Sequence, residues 1–126
     1  MPKVIHFEIP AEDPEIIRRF YEGVFGWKIT QWKNQPYWLV EAGAKKEWGI
    51  NGAIYRKDET RQMDKTVNTI GVEDLEDYIK KVERSGGEII GEIREIPEVG
   101  RFVYAKDPEG TLFGMLEPSE EMMKMM

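Results

Sequence analysis

Residues 3–15 read KVIHFEIPAEDPE, and residues 64–76, which read DKTVNTIGVEDLE, repeat the same plan 61 positions later. In this one ungapped register seven pairs of residues are identical between residues 3–29 and residues 64–90. They are Ile9 and Ile70, Glu12 and Glu73, Asp13 and Asp74, Glu15 and Glu76, Glu22 and Glu83, Gly26 and Gly87, and Ile29 and Ile90. Identities that share a register indicate an internal repeat. The sequence therefore predicts two modules built to one plan.

Each module begins with a strand and a capped helix. Residues 3–9 and 66–72 alternate apolar and polar side chains, as half-buried strands do. Asp13 and Asp74 follow these strands as candidate helix N-caps, and Gly26 follows the first helix as a candidate stop. The apolar stripe of the first helix consists of Ile16, Ile17, Phe20, Tyr21 and Val24. Both modules therefore open as β-α.

Three further strands are predicted after each helix. Their approximate bounds are 27–32, 37–42 and 50–55 in the first module, and 88–94, 101–106 and 111–117 in the second. Each module is then β-α-β-β-β, which makes the fold class α+β. Because neither small sheet could bury both faces alone, we expect one domain over residues 1–126. Its modules are about 1–60 and 61–118, and residues 119–126 form a tail that is either a short helix or frayed.

Composition excludes several classes of function. A net charge of −6 with scattered Lys and Arg argues against nucleic-acid binding. The absence of cysteine excludes disulfides, thiolate metal sites and a cysteine nucleophile. The sequence has no apolar signal core and no stretch as long as a membrane span, so we expect a cytoplasmic protein without a membrane partner.

Several motifs resemble one known superfamily. They are His6-Phe7-Glu8-Ile9-Pro10, Asp13-Pro14-Glu15, Phe20-Tyr21, Val24-Phe25-Gly26-Trp27 and residues 107–114, DPEGTLFG. Together with two βαβββ modules they resemble the vicinal oxygen chelate superfamily, which contains glyoxalases, bleomycin-resistance proteins and dioxygenases. The resemblance implies a curved mixed sheet around a cavity. It names no reaction, since the superfamily holds isomerases, epimerases, dioxygenases, thiol transferases and antibiotic-sequestering proteins.

The resemblance also implies where a divalent metal ion would bind. Metal-dependent members use one side chain from the first strand and one from the last strand of each module. The matching positions here are His6, Gly52, Val67 and Gly114, of which only His6 has a donor side chain. We therefore predict no metal and no other cofactor. A metal held by two histidines of a homodimer, or with help from Glu8 and Asn51, remains the alternative.

His6 and Glu8 are the candidate catalytic residues, because they lie two apart on one strand face and could act as a base and an orienting group. The resemblance and strand alternation then predict the residues that line the ligand cavity. These are Ile50, Gly52, Ile54, Val67, Thr69, Leu112, Gly114 and Leu116, with Trp38 and Trp48 at the mouth or in a dimer contact. The competing interpretation is a filled apolar core with a structural histidine.

Three functions follow from these residues and the resemblance. The first is a glyoxalase-like protein that acts on or binds a small organic molecule in an apolar cavity without metal, with His6 as base of a lyase- or isomerase-like reaction. The second is a non-catalytic sequestering protein of the bleomycin-resistance type. The third is a divalent-metal-dependent lyase, isomerase or dioxygenase with a rebuilt site. The resemblance also implies a homodimer.

Overall fold

The computed structural model describes residues 1–58 and 63–125. The elements are β1 (Lys3–Ala11), α1 (Pro14–Phe25), β2 (Lys28–Gln31), β3 (Tyr37–Glu41), β4 (Gly52–Arg56), β5 (Val67–Gly71), α2 (Leu75–Arg84), β6 (Glu88–Ile96), β7 (Gly100–Lys106), β8 (Leu112–Pro118) and α3 (Glu120–Met125). This order is β-α-β-β-β twice, followed by a short helix, and it confirms the predicted α+β class. The predicted module boundary at residues 60 and 61, and residue 126 of the tail, lie outside the described residues.

The chain forms two compact units. The N-terminal unit is His6–Val67, and the C-terminal unit is Met1–Ile5 with Asn68–Met126. In the N-terminal unit the strand order is β2-β3-β4-β1, with β1 parallel to β4 and the other pairs antiparallel. The C-terminal unit repeats this arrangement as β6-β7-β8-β5, with β5 parallel to β8. Each unit therefore contains a mixed sheet, as predicted. The single domain and the cavity remain predictions.

Short polar side chains fix where the helices begin. The carboxylate of Asp13 accepts hydrogen bonds from the backbone N–H groups of Glu15 and Ile16, and Asp74 accepts one from Asp77. These bonds satisfy donors that the first helical turn leaves without partners. At the other end of α1, Gly26 adopts a left-handed conformation with φ of 71°, which glycine reaches at little steric cost. Both predicted N-caps and the Gly26 stop are confirmed.

The core of the N-terminal unit lies between α1 and one face of its sheet. Its buried members are Ala11, Ile29, Trp38, Val40 and Ile54, packed with Phe7, Ile9, Ile17, Tyr21, Trp27 and Ala42. Gly52 on β4 is paired with Phe7 on β1, and a Cβ on Gly52 would lie 2.5 Å from the Phe7 carbonyl oxygen and 2.6 Å from its ring. Only glycine fits at this point of the strand.

Three of the five residues in the predicted apolar stripe of α1 do not enter this core. Ile17 and Tyr21 face the sheet, whereas Ile16, Phe20 and Val24 are 58%, 54% and 58% exposed. Phe25 at the end of the helix is 60% exposed. A stripe that includes residues 16, 17, 20, 21 and 24 is wider than one sheet face can cover at 3.6 residues per turn. Ile17 and Tyr21 are therefore the residues of the stripe that pack against the sheet, and Ile16, Phe20 and Val24 remain on the surface.

The C-terminal unit has its own core under α2. Val72, Leu75, Val103 and Met115 are buried there, and Ile70, Tyr78, Ile79, Val82, Ile89 and Phe113 pack against them. Beyond β8, the hydroxyl of Ser119 accepts a hydrogen bond from the backbone N–H of Met122 and caps α3. The helical alternative for the tail is therefore the one that forms. Among the described residues, no helix is long and apolar enough to cross a membrane.

Replacing Gly52 by Ala tests the close contact between β1 and β4. Because the added methyl would meet the backbone oxygen of Phe7, we expect G52A to lower the free energy of unfolding by about 1–3 kcal/mol. Gly114→Ala is the matched variant on β8, where the methyl would meet only side-chain atoms that can move, and it should cost less. Urea denaturation of both variants gives the comparison, and a G52A variant as stable as wild type would contradict it.

Candidate functional site

His6 is held by a tyrosine on a neighbouring part of the N-terminal unit. Its Nε2 atom lies 2.8 Å from the hydroxyl oxygen of Tyr37, at the start of β3. Burial lowers the pKa of His6 from 6.5, and the charge of Glu8 raises it to a smaller extent. The imidazole is therefore neutral at pH 7 and shares one hydrogen bond with a phenol.

Glu8 and Tyr55 lie on the same face of this sheet. Strand pairing sets Glu8 beside Ala53 on β4, and Tyr55 follows two residues later. Glu8 is 6% exposed, and Tyr55 donates its hydroxyl proton to the carbonyl oxygen of Lys65. Burial, with the nearby charge of Glu8, raises the pKa of Tyr55 to about 12. The face opposite α1 thus brings a histidine, a carboxylate and two phenols into one region.

Not all residues predicted on the His6 face lie there. Ile54 and Trp38 belong to the core under α1, and Gly52 lies directly against Phe7. Because side chains alternate along a strand, the neighbours of these residues occupy the His6 face instead. Trp48 is fully exposed, and Ile50 is 38% exposed in the loop before β4. The predicted cavity positions of Gly52 and Ile54 were therefore wrong by one residue in the alternation, and Trp38 lies in the core instead of at a cavity mouth.

In the C-terminal unit most of the predicted ligand-lining residues lie on one face of the sheet. Thr69, Gly114 and Tyr104 are paired in one row across β5, β8 and β7. Strand alternation places Leu112 and Leu116 on the face of Gly114, opposite α2. Four predicted ligand-lining residues of this unit, Thr69, Leu112, Gly114 and Leu116, therefore share one face. Val67 is buried at the start of β5.

Four aromatic residues of these two faces were absent from the predicted site. Tyr37 and Tyr55 belong with His6, whereas Phe102 and Tyr104 belong with Gly114. Phe102 and Tyr104 form an edge-to-face pair with ring centroids 4.6 Å apart. Alternation along β7 could have indicated both, since residues 102 and 104 flank the buried Val103.

Thr69 has an unusual environment. It is 2% exposed, and its hydroxyl oxygen makes no hydrogen bond with any described part of the chain. A buried hydroxyl without a partner costs about 1–3 kcal/mol of stability. Such a group needs an explanation, and a bound ligand is one of those available.

The residues at the four expected metal positions do not fit a metal ion. The structure corrects one of these positions, since the partner of Glu8 on β4 is Ala53, just as the partner of Thr69 on β8 is Gly114. Neither alanine, valine nor glycine has a donor side chain, so His6 stands alone. At Gly114, the ring of Phe102 lies 2.6 Å from where a Cβ would be. A ligand side chain there would have to displace this ring.

A cluster of carboxylates occurs elsewhere in the C-terminal unit. Oxygen atoms of Asp74, Glu76 and Glu117 lie within 4.8 Å of one another. Arg101 donates hydrogen bonds to Glu76 and Glu117, and Glu117 also accepts from the N–H of Leu75 at the start of α2. The hydrogen bonds from Arg101 lower the pKa of Glu76 to about 2 and raise that of Arg101. Together these contacts make the cluster a helix-capping ion-pair network.

Surface clefts lie apart from the predicted site. One of about 390 Å³ is lined by residues of the β6–β7 hairpin and β8, including Arg101 and Glu117. Another of about 360 Å³ lies at the start of α1, beside Asp13 and Lys57. Neither contains a residue that was predicted to bind ligand.

Comparison with known proteins decides the family. Residues 3–115 match the model of the Glyoxalase/Bleomycin resistance protein/Dioxygenase superfamily. The chain belongs to this superfamily. Curated relatives include the protein named "Putative glyoxylase CFP32" in Mycobacterium bovis and Mycobacterium tuberculosis, each 27% identical over 121 residues. That match covers 90% of this chain and 43% of the relative, so the chain spans less than half the length of the curated proteins it matches.

Solved structures share the fold at low identity. A hypothetical protein from Bacillus halodurans has a TM-score of 0.68 at 16% identity, with 94% of this chain and 95% of that chain covered. Methylmalonyl-CoA epimerase from Mycobacterium tuberculosis has a TM-score of 0.67 at 14% identity, with 96% and 91% covered. At such identities the likeness establishes the fold and leaves the reaction of this superfamily member open.

Replacing Glu8 by Gln tests the electrostatics around His6. Because the charge of Glu8 raises the pKa values of both His6 and Tyr55, E8Q should lower both. His6 is the chain's only histidine, so NMR titration reports its pKa without ambiguity. Ultraviolet titration, compared with Y55F, reports Tyr55.

The depressed pKa of His6 also determines how the stability of the folded chain depends on pH. Since the pKa of His6 is depressed in the folded chain, its contribution to stability is present above pH 6.5 and is lost as the pH falls through the folded pKa. Glu12→Gln, on the exposed Glu12, is the matched control and should leave both pKa values unchanged. An E8Q variant whose His6 pKa is unchanged or higher would contradict this assignment.

Replacing Thr69 by Val tests whether its hydroxyl lacks a partner. Valine has nearly the same shape without the hydroxyl, so we expect T69V to raise the free energy of unfolding by about 1 kcal/mol. Thr69→Ser retains the hydroxyl and should not be stabilised. Thermal or urea unfolding decides the sign, and destabilised T69V would reveal a hydrogen bond at this hydroxyl.

Proposed function

We propose that this chain binds a small organic molecule and transfers a proton on it through His6 and Tyr37, without a divalent metal. The observation that carries this proposal is the 2.8 Å contact between the partly buried, neutral imidazole of His6 and a phenol, on a sheet face that also carries Glu8. Membership of the superfamily supports a small-molecule ligand. The reaction class is lyase- or isomerase-like, at a carbon beside a carbonyl group.

The direction of the hydrogen bond between His6 and Tyr37 determines which ring nitrogen of His6 can accept a proton. When Tyr37 donates its proton to Nε2, the other ring nitrogen of the neutral imidazole carries the histidine proton. When Nε2 donates to the phenol oxygen instead, Nδ1 has the free lone pair and can accept a proton from substrate carbon. The proton then returns to the same or an adjacent carbon, so the protein is unchanged after one turnover.

Glu8 supports this chemistry electrostatically. Its charge raises the pKa of His6, which means that it favours the imidazolium formed when the imidazole accepts a proton. Burial acts in the opposite direction and keeps the resting imidazole neutral. A base must be neutral before the transfer and stable as a cation after it, and these two effects supply both requirements.

A non-catalytic sequestering protein is the second candidate. The edge-to-face pair of Phe102 and Tyr104, beside the unpartnered hydroxyl of Thr69, favours it because these groups suit binding and supply no base. A metal-dependent enzyme has less support, since two of the three clustered carboxylates, Glu76 and Glu117, are hydrogen-bonded to Arg101. A cytoplasmic location belongs to the proposal as well.

The exposed face of α1 supports a homodimer. Ile16, Phe20, Val24 and Phe25 expose on the order of 400 Å² of apolar surface, as much as the largest patch on a typical monomer. Two copies of this patch, packed about a two-fold axis, would bury roughly 800 Å² of the approximately 1,000 Å² that a stable interface needs. We therefore propose a second copy of the chain as the occupant of this helix face.

Replacing His6 by Gln tests the catalytic proposal. The probes are methylmalonyl-CoA and the adduct of methylglyoxal with glutathione, each of which has an acidic C–H beside a carbonyl. If His6 is the base, the wild-type protein catalyses exchange of this hydrogen with D₂O. The exchange rate of H6Q should then be lower by a factor of about 10² or more. Proton NMR of the probe measures the exchange.

The variant Tyr37→Phe is the companion to H6Q. It removes the hydrogen-bond partner and keeps the imidazole, so it should retain more exchange than H6Q. Equal exchange by H6Q and wild type would reject His6 as the base. Binding of a probe without exchange, with affinity equal in wild type and H6Q, would favour the sequestering protein.

Replacing Phe20 by Glu tests the dimer. A charge in the centre of the α1 patch should convert a wild-type dimer to a monomer in analytical ultracentrifugation at micromolar concentration. Met123→Glu places the same charge on the 50% exposed Met123 of α3 and should leave the dimer intact. Monomeric wild type, or a dimeric F20E, would contradict this interface.

A further inference from the structure

Phe102 fills an aromatic slot in the C-terminal unit. A Cβ on Gly114 would lie 2.6 Å from the Phe102 ring and 3.0 Å from the hydroxyl oxygen of Thr69, so ring and hydroxyl converge on the space above the glycine. Tyr104 is paired with Gly114 across β7 and β8 and meets the Phe102 ring edge-to-face, at an interplanar angle of 87°. The missing side chain of Gly114 thus leaves room for one flat ring.

The ring that fills this slot has the wrong polarity for it. Thr69 is 2% exposed and its hydroxyl makes no hydrogen bond in the described chain, although the Phe102 ring lies next to it. A phenyl ring has no lone pair with which to accept a hydroxyl proton. A ring that carried an oxygen acceptor at its edge would fill the same space and satisfy the threonine.

A cation lies beside the slot. The guanidinium carbon of Arg94 is 5.6 Å from the centroid of the Tyr104 ring, within the range of a cation–π contact. In a chain with a net charge of −6, a positive group here favours an anionic partner over a neutral one. Hydrogen bonds to a carboxylate are also stronger than those to a neutral carbonyl.

The slot is specific to the second module. Ala53 and Leu39 stand in the N-terminal unit where Gly114 and Tyr104 stand in the C-terminal unit, and Glu8 corresponds to Thr69. The duplicated scaffold therefore does not require a glycine, a tyrosine or a hydroxyl in this row. The row of Thr69, Gly114 and Tyr104 is therefore a feature of the second module that the first module does not share.

We propose that the slot binds a small aromatic carboxylate, whose ring would take the space that the Phe102 ring now occupies. On binding, the Phe102 ring turns away and the ligand ring lies against Gly114 with its face or edge to Tyr104. A carboxylate oxygen accepts the hydrogen bond of Thr69. This inference rests on the proposed small-molecule function and names the ligand class, with Thr69 as the residue that determines specificity.

Benzoate is the probe that tests the slot, with titrations followed by the amide NMR signals of Gly114 and Tyr104. We expect wild type to bind benzoate with shifts of these signals, and T69V to bind roughly tenfold more weakly or worse. Thr69→Ser keeps the hydroxyl and should stay within about threefold of wild type, because only the methyl is lost. Cyclohexanecarboxylate, with the same charge but no flat ring, should bind more weakly than benzoate.

Phe102→Ala separates the two parts of the slot. Removal of the Phe102 ring should raise the affinity for benzoate. The double variant Phe102→Ala, Thr69→Val should lose this gain in benzoate affinity. It should still bind toluene more tightly than wild type does, because toluene has no oxygen and needs no hydrogen bond from Thr69. Equal benzoate affinity in wild type and T69V, shifts that avoid Gly114, or no binding by wild type at millimolar benzoate would each overturn the proposal.

Binding in the slot and proton transfer at His6 can be tested separately. His6 is no part of the slot, so H6Q should bind benzoate as wild type does. Loss of hydrogen exchange in H6Q with intact Thr69-dependent binding supports both proposals. Exchange that does not depend on His6, with Thr69-dependent binding, rejects the catalysis and leaves the slot.

Discussion

The parallel pairing of the first strand of each module with its last strand determines the rest of the structure. In the N-terminal unit this pairing sets Phe7 against Gly52, and in the C-terminal unit it sets Thr69 against Gly114. Since side chains alternate along a strand, a shift of one residue in either pairing would exchange the buried face for the other. The contact of Gly52 with the Phe7 backbone fixes the alignment in the first module, because no larger residue fits.

The same strand pairing determines which side chains lie under the helices and which lie on the opposite faces of the sheets. The side chains packed under α1 and α2 are hydrophobic, aromatic residues included, whereas His6, Glu8 and Thr69 lie on the opposite faces. The first module places the neutral His6, Tyr37 and Glu8 there. The second places Thr69 and an aromatic pair there. The two repeats share a backbone plan and have diverged in the groups they present.

Local signals were sufficient to predict the fold. The cap residues Asp13 and Asp74, the glycine at 26 and seven identities in one register predicted every helix and strand to within a few residues. Their effects act over neighbouring residues, which sequence reasoning can follow. The exposed part of the α1 stripe could not be predicted in this way, because it depends on how much of a helix one sheet covers.

The candidate site was harder to predict because it depends on pairing between distant strands. Matching glycine to glycine aligned Gly52 with Gly114, although the repeat of 61 residues aligns Ala53 with Gly114, and this single step moved Ile54 to the wrong face. Tyr37 was overlooked because nothing in the sequence brings residue 37 to residue 6. His6 and Thr69 could be placed on the faces opposite the helices because each lies on a first strand, where alternation is clear.

We propose that this superfamily member works without a divalent ion, because alanine, valine and glycine stand at three of the four expected ligand positions. The most direct test of this proposal is the metal content of the purified protein, followed by addition of Zn²⁺, Mn²⁺ or Ni²⁺ while the NMR signals of His6 are observed. We expect no stoichiometric metal in the purified protein and no change in the His6 signals at equimolar ion. One equivalent of bound divalent ion, with the His6 imidazole shifted and its hydrogen bond to Tyr37 lost, would contradict the proposal.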